Sequence, residues 1–369
     1  MNLRAPKSKL LLGPGPSNSD PRVLRALSEP TLGHLDPDFV AIMDETTELL
    51  RYVFNTKNRL TVPISGTGSA GMETAILNTV EPGDKVIICV AGVFGERMVD
   101  VAERAGATVI RVDTPWGEPI DPEDAAKAIR RNPDAKLLGI VHAETSTGVL
   151  QPLDDIVNLA HEKGMRVVVD AVTSLGGVDV PVDRLNLDFV YSGTQKCLSC
   201  PPGLAPITAN ETTAAFIKNR KTKCRSWYLD LGMIQRYWGS ERFYHHTAPV
   251  NMIYALNESL RIIKEEGLEA RYRRHKDTQE FLLDSLSAIG IKPVVNEPYR
   301  LPSLTTVWTP EGVDEAAVRK RLLDEFNIEI GAGLGVFKGK VWRIGLMGTN
   351  SKRSNVVYLL AALKKILGI

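Results

Sequence analysis

Lys196 closes the run Leu187-Asp-Phe-Val-Tyr-Ser-Gly-Thr-Gln-Lys196, where a short apolar strand gives way to small, flexible residues. A lysine is ordinarily a solvated surface residue. At the mouth of an α/β sheet, desolvation lowers its pKa, and the neutral amine can attack a carbonyl to form a Schiff base. Two other segments carry chemistry of the same kind. Arg166-Val-Val-Val-Asp-Ala-Val-Thr-Ser174 ends a buried-looking strand in Asp170, at the edge where open α/β sheets bind ligands. There Asp170 either N-caps the next helix or pairs with a cationic ring nitrogen in a charge-assisted hydrogen bond. Ile64-Ser-Gly-Thr-Gly-Ser-Ala-Gly71 follows a short strand and opens a helix, and Gly66, Gly68 and Gly71 spell GxGxxG.

A dinucleotide reading of that loop expects an acidic residue at the end of the next strand, but the strand ends Val90-Ala-Gly-Val-Phe94. A monophosphate on the helix N-terminus fits better, with the Thr67 and Ser69 hydroxyls as added donors. A phosphate cradle, a ring-nitrogen carboxylate and an amine for an aldehyde together match the three functional groups of pyridoxal 5'-phosphate. His142-Ala-Glu-Thr-Ser-Thr-Gly148 offers Thr145 to the cofactor rim, and Phe94 offers an aromatic face. Arg343, a lone arginine among apolar residues in Val341-Trp-Arg-Ile-Gly345, suits a substrate carboxylate. His245 and His246, read as strand neighbours, point to opposite faces, and no cluster beside them suggests a metal. The basic run Lys218–Arg225 reads as a solvated face.

These residues need a scaffold that presents strand ends to one edge. Strand-like runs at Asp84–Val90, Thr108–Val112, Lys136–Val141, Met165–Val169 and Leu187–Tyr191 alternate with helical stretches such as Asp121–Arg131 and Leu153–Lys163. Nearly unbroken apolar strands predict an α/β fold with a parallel sheet covered on both faces. Asp36–Phe54 has apolar residues at helical spacing. A charged helical region over 258–289 precedes an α+β tail with strands at Leu304–Trp308 and Val341–Gly345. The expected division is an arm over 1–18, a large cofactor-binding domain over 19–260 and a small domain over 261–369. The 369 residues carry 43% hydrophobic and 24% charged side chains and a net charge of +1, which gives no reason to expect nucleic acid or an acidic membrane as partner. No apolar run approaches the roughly 18 residues that span a bilayer. With a three-leucine run too short for a signal-peptide core and four cysteines read as reduced thiols, the cytoplasm is the expected compartment.

The chain resembles the alanine–glyoxylate aminotransferase family, in the class V branch of fold-type-I pyridoxal-phosphate enzymes. The resemblance runs from Leu11-Leu-Gly-Pro-Gly-Pro-Ser-Asn18 nearly to the C-terminus. It includes Ser65–Ser69, Glu144–Leu153, Ser192-Gly-Thr-Gln-Lys196 with Pro201-Pro-Gly203, Arg220–Lys223, Tyr244-His-His-Thr247, and Ile328–Ile330 with Gly333-Leu-Gly335. It implies a mostly parallel seven-stranded sheet sandwiched by helices, with a smaller C-terminal α+β domain. It implies Lys196 as the Schiff-base lysine, Asp170 on the pyridine nitrogen, and Thr67, Gly68, Ser69 and Gln195 on the phosphate. Thr145 would contact the ring-hydroxyl side, while Val172 and Phe94 would pack against the ring. Arg343, Gly15 and Trp227 would face the substrate. Tyr244 and Thr247 would reach the phosphate of a neighbouring subunit's cofactor, which implies a homodimer with shared active sites. The implied activity moves an amino group from a small L-amino acid, alanine favoured, to glyoxylate. Phe94 and Ser69 stand where the family usually carries Trp and His. Other segments, such as Gly33–Phe39, look like ureidoglycine–glyoxylate aminotransferases, which have Asn where this chain has Trp227. Serine–glyoxylate or ureidoglycine–glyoxylate transfer is the alternative, and a lyase or desulfurase on the same scaffold a distant one.

Overall fold

The computed structural model describes residues 7–369. Seven strands form the main sheet: β1 (Leu60–Ser65), β2 (Lys85–Val90), β3 (Thr108–Asp113), β4 (Leu137–Val141), β5 (Arg166–Asp170), β6 (Phe189–Tyr191) and β7 (Leu204–Ala209). Their spatial order is β1-β7-β6-β5-β4-β2-β3. Strand β7 runs antiparallel to both its neighbours, and the other pairings are parallel. Every residue of β4 and β7 is buried, as expected of strands covered on both faces. β7 escaped the sequence reading because Pro206 interrupts it, and proline normally marks an edge. Here Pro206 lies opposite Pro63 of β1. The Pro206 carbonyl accepts from Ser192 N at 2.8 Å, on the side away from β1, so the two prolines form a pair that exchanges no ladder hydrogen bonds and their missing N–H groups cost nothing between these two strands.

Helix α1 (Pro37–Phe54) begins as the sequence predicts, with the Asp36 side chain accepting from Asp38 N at 2.9 Å and proline in the first turn. It buries Phe39, Met43, Leu50 and Phe54 against the first hydrophobic core. Helices α2 (Gly68–Thr79) and α3 (Val93–Arg104) follow β1 and β2 and bring their N-termini to the carboxyl edge of the sheet.

The charged helical region is two helices rather than one. α4 (Val250–Glu266) and α5 (Leu268–Ser287) are separated by Gly267 at φ +81°, a conformation that favours glycine. Residue 260, the expected boundary, lies inside α4, whose Ile253, Leu256, Leu260 and Ile263 belong to the first core. A second core gathers Leu12, Leu282, Ile291, Trp342, Ile344 and Leu359 around a three-stranded antiparallel sheet made by Leu304–Trp308, Val341–Gly345 and Gly331–Ala332. Near the N-terminus, Leu10–Leu11 pairs in parallel with Ile328–Glu329 of this C-terminal unit. Leu12 is fully buried there before the chain turns toward the main sheet. Among the described residues, no helix is long and apolar enough to cross a membrane.

Candidate active site

The ends of parallel strands converge on one cavity of about 180 Å³, lined by Thr67, Gly68, Ser69, Met72, Phe94, Arg97, Ala143, Thr145, Asp170, Val172, Gln195 and Lys196. Asp170 is the last residue of β5, in register with Val141 of β4 and Tyr191 of β6. Its Oδ1 accepts from Val172 N and its Oδ2 from the Tyr191 hydroxyl, both at 2.8 Å. The first bond is the local turn that sequence alone allowed; the second fixes the carboxylate in the cavity floor. Burial pushes Asp170 up to about 6, although both hydrogen bonds and the nearby Lys196 favour its charged form.

Lys196 is only 8% exposed and has no carboxylate partner among the described residues. Its Nζ donates to the carbonyl of Pro14. Burial, reinforced by the charge of Arg343, brings its pKa down to about 8. The loop that carries it is gripped from several sides. Ser17 Oγ donates to Lys196 O at 2.7 Å and Ser17 N to Gln195 O at 2.8 Å. Buried Arg271 of α5 donates to Cys197 O and, at 2.8 Å, to Gly176 O, while pairing with Glu266 at 2.7 Å. Gly15 is packed so closely that a Cβ there would lie 2.7 Å from Lys196 Nζ.

At the opposite end of the cavity, α2 starts at Thr67, whose side chain makes no capping bond, so the first-turn N–H groups keep no side-chain acceptor. A Cβ on Gly68 would meet Val172 Cγ2 at 3.1 Å, so that approach requires glycine or a shift of the valine. Gln195 Oε1 is buried without a partner. An open helix N-terminus, hydroxyl and amide groups, an unpaired buried carboxylate and a desolvated amine form a donor set that fits pyridoxal phosphate.

Arg343 lies in the C-terminal unit, and its side chain reaches the loop that follows β4. Nε donates to Ala332 O at 2.7 Å and Nη1 to Thr145 O at 3.0 Å, leaving Nη2 without a partner among the described residues. Burial lowers its pKa to about 10. Glu144 was not singled out by sequence. Its buried carboxylate accepts from Phe94 N at 3.2 Å and from Ser146 N at 3.0 Å, and burial raises it to about 7.

Five expected site residues are not part of the cavity lining: Gly15 and Arg343 lie against it, through Lys196 and Thr145, while Trp227, Tyr244 and Thr247 lie away from it. Trp227 and Tyr244 are 60% and 53% exposed, and Thr247 is also exposed. Trp227 stacks on His245 with centroids 4.5 Å apart. His245 and His246 are not strand neighbours with opposed side chains. They lie in a loop, with their Nδ1 atoms 2.8 Å apart, and His246 Nε2 is 2.7 Å from Ser65 Oγ. The basic run is largely exposed, as expected.

The family model described as aminotransferase class-V matches residues 10–356. This chain belongs to that family. The class-V aminotransferase is 42% identical to alanine–glyoxylate aminotransferase of Rattus norvegicus, with 99% of this chain and 89% of that protein covered. It is 40% identical to the (S)-ureidoglycine–glyoxylate transaminase of Bacillus subtilis strain 168, over 97% of this chain and 90% of that protein. The crystal structure of an alanine–glyoxylate aminotransferase from Nostoc sp. superposes with a TM-score of 0.97 at 50% identity, covering 100% of this chain and 97% of that one. The fold is that of the fold-type-I aminotransferases, and the protein is a pyridoxal-phosphate-dependent transaminase.

Proposed function

We propose that this transaminase moves the amino group of a small L-amino acid, alanine favoured, to glyoxylate, giving pyruvate and glycine by a ping-pong sequence. The observation that carries this reading is Lys196, a buried amine held by a backbone carbonyl in the cavity that also contains Asp170 and the first turn of α2. When bound, pyridoxal phosphate supplies an electrophilic aldehyde and an electron-accepting ring. Thr67, Gly68, Ser69 and Gln195 would hold its phosphate, Val172 and Phe94 its ring, and Thr145 its hydroxyl side. Asp170 would accept the proton-bearing ring nitrogen and keep that proton in place, an ion pair that relieves the burial cost of the carboxylate. Lys196 Nζ would hold the cofactor's aldehyde and would supply the base that takes the proton from the substrate Cα. Arg343, steered by two backbone carbonyls, turns its free Nη2 to the substrate carboxylate. Tyr244 and Thr247 would complete the phosphate site of a partner subunit in a homodimer, and Trp227 would face its substrate.

Trp227 favours a small, apolar donor. Similarity to the Bacillus enzyme supports ureidoglycine as the second reading. A desulfurase is disfavoured, since Cys89, Cys197 and Cys200 are buried and Cys224 is partly covered, with burial pushing every thiol up. The test is the absorbance of the cofactor-loaded protein before and after adding L-alanine with no oxo acid. The expected result is bleaching of the yellow lysine-bound band with one pyruvate per site, and loss of turnover in Lys196→Ala. A yellow protein indifferent to alanine but bleached by ureidoglycine moves the donor to the second reading. Near-normal turnover by Lys196→Ala overturns the transaminase chemistry.

A further inference from the structure

Arg97 has no role in the account above, yet it lines the same cavity. It sits one helical turn into α3, whose N-terminus is fixed in place. Val93 N donates to Ser146 Oγ at 3.0 Å, Phe94 N to Glu144, and a Cβ on Gly92 would come within 2.3 Å of Ser146 Oγ. That anchoring aims the helix face bearing Phe94 and Arg97 at the cavity. The Arg97 guanidinium carbon lies 4.9 Å from the Phe94 ring centroid, a contact that limits its freedom, and Nη1 donates to Ser69 Oγ at 3.3 Å.

Its neighbours are paired: Arg104 with Asp100 at 2.9 Å, and Arg111 with Glu96 at 2.7 Å. Arg97 forms no ion pair among the described residues, and the adjacent Glu96 is already engaged by Arg111. A guanidinium held at a cavity without a counter-ion is a place for an anion. Its bond to Ser69, the second residue of α2, places it at the phosphate end. The cavity's other cation is Lys196, which the proposed chemistry commits to the aldehyde. Without Arg97, this chain would offer a phosphate dianion only dipoles and neutral donors.

We propose that Arg97 is a phosphate-binding residue of the cofactor site, supplying from α3 the positive charge that the helix N-terminus and Ser69 lack. The proposal rests on the cofactor reading above, so its test must separate the two. Cofactor-free wild type, Arg97→Met and Arg97→Lys are titrated with pyridoxal phosphate and, separately, with pyridoxal, which has the aldehyde and ring but no phosphate. Binding is read from the absorbance of the lysine-bound form. Arg97 is exposed on a helix surface, and matched melting curves of the cofactor-free proteins check that the fold is kept. The expected result is a roughly 10- to 100-fold weaker affinity of Arg97→Met for pyridoxal phosphate, the range of a charge-assisted hydrogen bond. Pyridoxal affinity should stay within about twofold, and Arg97→Lys should fall between the two proteins. An unchanged ratio of the two affinities in Arg97→Met overturns the proposal. So does an unchanged ratio with a raised KM for a dicarboxylic amino donor, which would assign Arg97 to substrate. A wild-type protein that forms no lysine-bound species with either compound would overturn the cofactor reading itself.

Discussion

Burial shifts an amine and two carboxylates at this site toward neutrality: Lys196 down to about 8, Asp170 up to about 6 and Glu144, behind the cavity wall, up to about 7. For Lys196 the sign of the stability effect is definite. The folded, cofactor-free protein releases the lysine proton near pH 8, whereas the unfolded chain keeps it to about 10.5. Between those values the unfolded chain binds more protons, so this residue's contribution to stability rises with pH. The full gain corresponds to about 3 kcal/mol. Urea unfolding of cofactor-free wild type and Lys196→Met at pH 7.5 and pH 10 should therefore show wild type gaining on the variant at the higher pH. A constant difference would mean that the amine is not desolvated. The gathering of Lys196, Asp170 and Thr67–Ser69 around one cavity was legible because each signal is local, a strand end followed within a few residues by an ionisable or glycine-rich group. Glu144, Tyr191 and Arg97 were not. Glu144 acts on Phe94, 50 positions away, Tyr191 on Asp170, 21 positions away, and an arginine on an exposed helix face reads as solvated.

Among the elements, the arm over residues 10–18 does the most positioning for its length. Leu10–Leu11 is a strand of the C-terminal unit, Pro14 O holds Lys196 Nζ, and Ser17 holds the backbone of Gln195 and Lys196. Gly15 sits between these contacts at φ +104°, with no room for a Cβ. Gly15→Ala should therefore displace the amine and lower kcat by about 10²-fold, the usual effect of a misplacement near 1 Å, and the alanine strained at that positive φ should lower the melting temperature as well. Turnover close to wild type would show that the arm can yield without moving Lys196. Strands rich in Val and Ile were legible element by element, and so was α1, with its Asp36 cap. The Gly267 break was not, because charged helices on both sides of it share one composition and only the positive φ separates them. β7 was hidden by Pro206 until its antiparallel partner supplied the reason a proline is tolerated there.

For the molecule as a whole, one chain leaves its expected site unfinished. Trp227, Tyr228, Phe243 and Tyr244 are between 43% and 60% exposed, aromatic surface that the proposed homodimer would have to cover. If Tyr244 and Thr247 serve the partner's cofactor, Lys196→Ala and Thr247→Ala damage the two sides of the shared site separately. Co-refolding equal amounts of the two variants should then restore about a quarter of the sites to wild-type composition, read as activity above the sum of the parents. No gain on mixing would place each site within one chain. The pairing of Leu10–Leu11 with Ile328–Glu329 also fixes when a site can exist at all. During synthesis, Leu10–Leu11 waits for a partner made much later in the chain, and the carbonyl that holds Lys196 waits with it. The main sheet can pack from residues already made, but a nascent chain stopped before residue 328 would hold Lys196 without the clamp that orients it. Competence to react is thus a late event in the life of each molecule, reached only when Leu10–Leu11 meets Ile328–Glu329.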